Sequence, residues 1–157
     1  MKVMLLAIGK TDENYLETGI QKYLSRISFY IPFEWRVIPD LKNRKNLSFE
    51  QQKTMEGNLI LSQLQPGDEL VLLDETGQGF SSREFSQYIE KKKLTMTKRV
   101  VFVIGGPYGF SVSVYAAAHR KLSLSPMTFS HQMVRLVFLE QLYRALTIIK
   151  GEPYHHD

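Results

Sequence analysis

The chain has 157 residues, a formal net charge of +4, 43% hydrophobic and 23% charged residues, and no cysteine. That length and balance fit one globular domain with a sizeable core. The missing cysteines exclude disulfides, thiolate nucleophiles and cysteine-ligated metals, and fit a reducing compartment.

Residues 2–8 are apolar, too short to cross a membrane and without a signal-peptide cleavage pattern, so they read as a first strand in a cytoplasmic protein. Asp12 is a candidate N-cap for a helix to about Ser28, with Leu16, Ile20, Leu24 and Ile27 on one face. Phe33 to Ile38, bracketed by Pro32 and Pro39, reads as a second strand. Ser48 and Gln51 form a capping box for a helix ending near Leu64. A Pro66-Gly67-Asp68 turn leads into a third strand, Glu69 to Leu73, whose exit loop is Asp74 to Gly79. Ser81 or Ser82 caps the next helix, which carries Phe85 and Ile89. Val100 to Ile104 is a run of β-branched and aromatic residues, the pattern of a strand buried on both faces. A helix around 112–118, a short strand at 121–125 and a helix from His131 to Lys150, stopped by Gly151, complete the chain. Strands alternate with helices throughout. The expected class is α/β, a single domain over 1–157 with a mainly parallel sheet flanked by helices.

Glycines at the exit of a buried strand let a ligand approach the backbone. Gly105-Gly106-Pro107-Tyr108-Gly109 is such a loop, and open α/β sheets bind ligands at that edge. Its spacing matches neither the dinucleotide fingerprint nor the phosphate-binding P-loop. The exits after Leu73 and after Leu124 join it on one edge if the three strands are parallel neighbours. Together they would wrap one small molecule, largely with backbone groups. The last helix is apolar around much of its circumference, which fits either a two-fold dimer interface or central packing. Basic clusters at Lys42–Lys45, Lys91–Lys93, Lys98-Arg99 and Arg120-Lys121 suit an RNA partner, or are solvated turns and helix ends.

The run Ser123-Leu124-Ser125, Met127-Thr128-Phe129, His131 to Leu136, then Glu140 to Ala145 and Pro153-Tyr154-His155 resembles one family. So do Leu73-Asp74 with Gly77, Ser81 and Ser82, the Gly-Gly-Pro-x-Gly loop, and Gly9, Tyr23 and Pro39. The chain is similar, over its whole length, to the bacterial ribosomal large-subunit pseudouridine N3-methyltransferases, small enzymes of the SPOUT superfamily. The resemblance implies a C-terminal trefoil knot, which pattern reasoning would argue against. It also implies S-adenosylmethionine as cofactor, held by Leu73, Gly105, Leu124, Ser125, Pro126, Met127, Thr128 and Phe129. The implied substrate is the pseudouridine at position 1915 of 23S rRNA within the ribosome. The implied assembly is a homodimer that joins one chain's cofactor pocket to the other's tail, with no metal and no membrane.

Methyl transfer to N3 of a base is mainly a positioning task, but the N3 proton must leave. The catalytic candidates are His131, Arg135, Tyr154 and His155. His131 alternatively serves as a cap or core histidine, and Arg135 and Arg144 alternatively pair with Glu140. Tyr154-His155 lies in a polar tail where a purely structural need is harder to see. Asp74-Glu75, without ligand-spaced partners, reads as a polar loop. The chain departs from the resemblance at His156-Asp157 and at Gln78, where basic residues would touch RNA. Two other readings stand beside the methyltransferase: a non-catalytic module binding RNA or S-adenosylmethionine, and a different α/β nucleotide-binding enzyme.

Overall fold

The computed structural model describes residues 1–157. Five strands form one sheet: β1 (Lys2–Ile8), β2 (Phe33–Ile38), β3 (Asp68–Gly79), β4 (Arg99–Ile104) and β5 (Arg120–Ser123). Their order is β2-β1-β4-β3-β5, and every pairing is parallel. The helices are α1 (Asn14–Ile27), α2 (Phe49–Ser62), α3 (Ser82–Leu94), α4 (Val112–Ala117) and α5 (Met133–Lys150), with a single 3-10 turn at Arg44–Asn46.

Alternation along the central strands divides the core in two. Val3, Leu5, Ala7, Val100, Phe102 and Ile104 point to the α1, α3 and α5 side, where Phe138 and Leu142 meet them. Met4, Leu6, Ile8, Val101 and Val103 point to the α2 and α4 side, against Ile60 and Val114. This two-sided burial explains why β1 and β4 read as continuous apolar runs instead of alternating ones.

The residues that set the elements are mostly those the sequence marks. Ser48 with Gln51 and Ser81 with Glu84 both close capping boxes, so Ser81 and not Ser82 is the cap of α3. Gly151 takes φ 72° and stops α5. Other boundaries move. Glu13, without a side-chain cap bond, precedes α1; the Asp12 backbone N–H instead donates to Gln132 Oε1 at 2.9 Å. The third strand does not end at Leu73. It leaves the sheet and returns, so Leu73 and Gln78 both partner Leu122, and Asp74–Gly77 bulges out between them. A Cβ on Gly77 would lie 2.5–2.7 Å from the backbone of Lys121 and Leu122, which keeps this return tight only with glycine.

Helix α5 lies between α1 and α3 on the sheet. Phe138, Leu139, Leu142, Ala145 and Leu146 are buried, and Leu136 packs against Gly19 of α1. Three-sided packing within one chain therefore accounts for most of the apolar residues spread around the helix. A half-buried stripe is left at Met133, Val137, Gln141, Arg144 and Ile148. No helix is long and apolar enough to cross a membrane.

At the amino-terminal edge of the sheet, Asp68 and Arg99 are register partners and their side chains pair at 2.5 Å. Burial opposes the charge on Asp68, but bonds from Arg99 and from the Gln65 N–H outweigh it and hold the carboxyl below its usual range. Arg99 also donates to the Gln63 carbonyl, so this buried pair is well supplied with partners.

Candidate functional site

Parallel neighbours β4, β3 and β5 release their chains at the same edge, and a cavity of about 490 Å³ opens there. Its three walls are Leu73–Thr76, Ile104–Phe110 without Tyr108, and Ser123–His131 without Pro126; Tyr115 and Val134 complete the lining. The volume lies in the usual range of small-molecule sites.

Each wall is shaped by local bonds. Asp74 accepts from the Thr76 N–H and Thr76 Oγ1, both at 2.8 Å, and from the Tyr115 hydroxyl. Burial works against ionisation of Asp74, but these donors prevail and lower its pKa. Tyr115 is pushed up to about 12 by burial and by that same carboxylate. Asp74 is thus a polar brace for the bulge. In the second wall, Gly109 takes φ +83° and its N–H donates to the Gly106 carbonyl at 3.1 Å, closing the turn. In the third, Ser123 Oγ donates to the Ser125 carbonyl at 2.9 Å, and the Met127 N–H donates to Ser125 Oγ at 2.9 Å.

Two glycines of the second wall are closely packed. A Cβ on Gly105 would lie 3.1 Å from the Phe110 ring, and one on Gly106 would lie 2.6 Å from Glu56 Oε1. Glu56 is 4% exposed, and its Oε1 has no hydrogen-bond partner. Its other oxygen accepts weakly from Gln52 at 3.4 Å. Burial raises its pKa; Gln52 and Arg44 oppose that rise and Asp40 adds to it. Sequence reasoning missed Glu56. On α2 it stands four residues after Gln52, a pattern that reads as a solvated face.

The structure brings seven of the eight expected cofactor residues, all but Pro126, onto this one cavity. His131 stands exposed at its rim. Arg135 does not line it. Fully buried, its guanidinium donates to the His131 carbonyl at 3.0 Å, Thr11 Oγ1 at 3.1 Å and the Ile8 carbonyl at 3.0 Å. It joins the start of α5 to the exit of β1, and Gln132 adds a bond to the Lys10 carbonyl at 3.1 Å. The alternative pairing of Arg135 with Glu140 is absent; Glu140 pairs with Arg144 at 2.5 Å.

The tail folds back along α5. Tyr154 donates to Glu140 Oε1 at 3.0 Å, and its ring lies under Arg144, 4.7 Å from the guanidinium carbon. His155 Nδ1 lies 3.1 Å from Arg144 Nη1, and His155 Nε2 lies 3.1 Å from Asp157. Asp157 in turn pairs with Arg83. Residue 144 is ten positions beyond Val134, about 15 Å along a helix. Within one chain, Tyr154 and His155 therefore sit away from the cavity. Gln78, the other departure from the resemblance, accepts from Arg120.

An all-parallel sheet with three adjacent exits folded around such a cavity defines an α/β protein with an open small-molecule-sized cavity at the carboxyl edge of its strands. The family model described as "Predicted SPOUT methyltransferase" matches residues 1–155. The chain is 62% identical over 157 residues to a Parabacteroides distasonis protein named "Ribosomal RNA large subunit methyltransferase H", covering all of both chains. Proteins of the same name from Christiangramia forsetii (60% over 156 residues, 99% of each chain) and Flavobacterium johnsoniae (59% over 157 residues, all of each chain) are also similar. The chain belongs to the SPOUT methyltransferase family. Such an enzyme has a methyl donor to hold.

Proposed function

We propose that this protein transfers a methyl group from S-adenosylmethionine to N3 of the pseudouridine at position 1915 in 23S rRNA of the large ribosomal subunit, as a cytoplasmic enzyme. The observation that carries this reading is the cavity. Leu73, Gly105, Leu124, Ser125, Met127, Thr128 and Phe129 converge on it from three separate strand exits. The relatives' shared name directs it to large-subunit rRNA.

The cavity fits the donor. Gly105 and Gly106 present bare backbone in its second wall, and Leu73, Leu124 and Phe129 supply apolar surface. When bound, S-adenosylmethionine supplies an electrophilic methyl group. The chain's task is then to hold the base in line with that group and to provide for the N3 proton. His131, at the rim, is the base candidate within the same chain. Arg135 fixes the backbone from which His131 projects, acting as its support through the bond to the His131 carbonyl.

Tyr154 and His155 take part through a homodimer. The half-buried stripe on α5 provides a face for the second copy, and the tail is held against that helix by Glu140 and Arg144. In this arrangement one copy's tail completes the other's cavity. The threaded C-terminal knot belongs to the same proposal, as does action without a metal.

Methyl transfer from labelled S-adenosylmethionine to ribosomes tests the reading. Label in the large-subunit rRNA is expected, with loss of at least about a hundredfold in His155→Ala at unchanged donor affinity, the range general acid–base groups contribute. Donor binding without transfer to any ribosomal RNA would instead favour a non-catalytic binding module.

A further inference from the structure

Phe49 and Tyr108 stack at the surface, with ring centroids 4.1 Å apart and planes 21° from parallel. Phe49 begins α2, and Tyr108 is the tip of the glycine loop, between Pro107 and Gly109, which line the cavity. Although they cover one another, the two rings remain 64% and 40% exposed. Tyr108 is therefore an open aromatic residue held between two residues that line the cavity.

The segment from residue 40 to residue 53, which contains Phe49, carries a net positive charge. Before Phe49, Asp40 is paired with Arg44; after it, on α2, Glu50 is paired with Lys53. The acids are thus matched, and exposed Lys42 and Lys45 have no ion pair. Open aromatic faces beside uncompensated cations are the chemistry that holds unpaired nucleotides: bases stack on the rings while ammonium groups meet the phosphates. A second copy of this chain fits less well, because a two-fold axis through the patch would oppose lysines with lysines.

We propose that the Phe49–Tyr108 pair is a stacking platform for an unpaired base of the RNA substrate adjacent to the target nucleotide, with Lys42 and Lys45 contacting its backbone. The proposal deepens the rRNA reading and rests on it. The base on the platform anchors the strand at the cavity rim, so that the target nucleotide, already splayed out, is delivered in register. Stacking is indifferent to base identity, so the platform favours single-stranded RNA over duplex instead of a particular sequence.

The test uses the full-length protein and the Phe49→Ala/Tyr108→Ala double variant, with Phe49→Tyr/Tyr108→Phe as the aromatic-retaining control. The probes are whole ribosomes for methyl transfer, and a fluorescein-labelled oligouridine strand and a labelled RNA duplex for anisotropy. For the alanine variant, the KM for ribosomes is expected to rise about tenfold or more, with S-adenosylmethionine affinity and kcat within about twofold. Its preference for the single strand over the duplex disappears, and the control retains both properties.

Unchanged single-strand binding in the alanine variant overturns the platform. A changed oligomeric mass in that variant also overturns it and assigns the pair to a contact between copies. If the wild-type protein methylates no ribosomal RNA, the rRNA reading fails on its own terms, and the proposed role in substrate delivery falls with it. If it methylates normally and the alanine variant matches it in KM, the platform alone fails.

Discussion

The two edges of the sheet treat buried carboxyl groups in opposite ways. At the amino-terminal edge, Asp68 is paired with Arg99 and bonded to the Gln65 N–H, so its ionised form is stabilised. At the carboxyl-terminal edge, Glu56 is equally hidden but has one oxygen without a partner, pressed against Gly106 in the wall of the cavity. One edge is satisfied and the other carries an unmet polar group beside the cavity wall. The satisfied pair lies away from the cavity, and the unsatisfied group lies against its wall, the kind of place where proteins tolerate such groups.

The largest effect should come from breaking the satisfied edge. Asp68→Asn leaves Arg99 buried without its counter-charge and is expected to cost about 3 kcal/mol. In a domain of this size that lowers Tm by roughly 10 °C, measurable by thermal unfolding. The cost should fade at low pH. A carboxyl whose pKa is depressed on folding stabilises the fold above its unfolded value near 3.8 and loses that contribution as pH falls through the folded value.

Gly106→Ala tests the other edge. Its Cβ would meet Glu56 Oε1 at 2.6 Å, so either the carboxyl or the loop must shift. Overpacking of this kind costs about 1–3 kcal/mol, and calorimetry should show donor binding weakened about tenfold or more. Adding Glu56→Ala makes room and should recover much of the loss; no recovery would mean that the loop is shaped by something other than Glu56.

Glu56→Gln gives a smaller effect with the opposite pH sign to Asp68. Because burial raises the folded pKa of Glu56 above 4.5, the wild-type fold loses stability as pH rises from about that value to the folded pKa, then levels off. Urea unfolding across this range should show that slope in the wild type and a flatter line in the variant. An identical slope would remove Glu56 as its source. Smallest of all, Ser81→Ala removes one capping bond of α3 and should cost about 1 kcal/mol.

The sequence carried the architecture well because the fold rests on local signals. Apolar runs bounded by glycine and proline mark β1, β2 and β4, and the Ser48–Gln51 capping box lies where the sequence marks it, while the sequence narrows the cap of α3 only to Ser81 or Ser82. The convergence of seven cofactor candidates on one cavity was also legible, because a parallel sheet places its exits on one edge. What was not legible is what depends on the third dimension. The strand beyond Leu73 looks like a loop, since nothing in Asp74–Gly77 signals that Gln78 will pair again with Leu122. Arg135 looks like a surface helix residue matched to Glu140. Only the fold shows three oxygens from the β1 exit and the turn before α5 surrounding it. Glu56 becomes conspicuous only when Gly106 arrives against it from β4.

The tail marks the same limit. Tyr154 and His155 stand out through the family resemblance and because a polar tail gives them little evident structural need; the fold places them on Glu140 and Arg144 and not on the cavity. Their proposed part in catalysis therefore depends on the proposed second copy.

The most direct measurement is titration calorimetry of S-adenosylmethionine into the wild-type chain and into Gly106→Ala, with the thermal stability of each recorded alongside. The account predicts one donor per chain for the wild type, and binding weakened about tenfold or more in the variant with the fold intact. No binding by the wild type, or equal binding by both, would contradict the assignment of this glycine-walled cavity to the methyl donor.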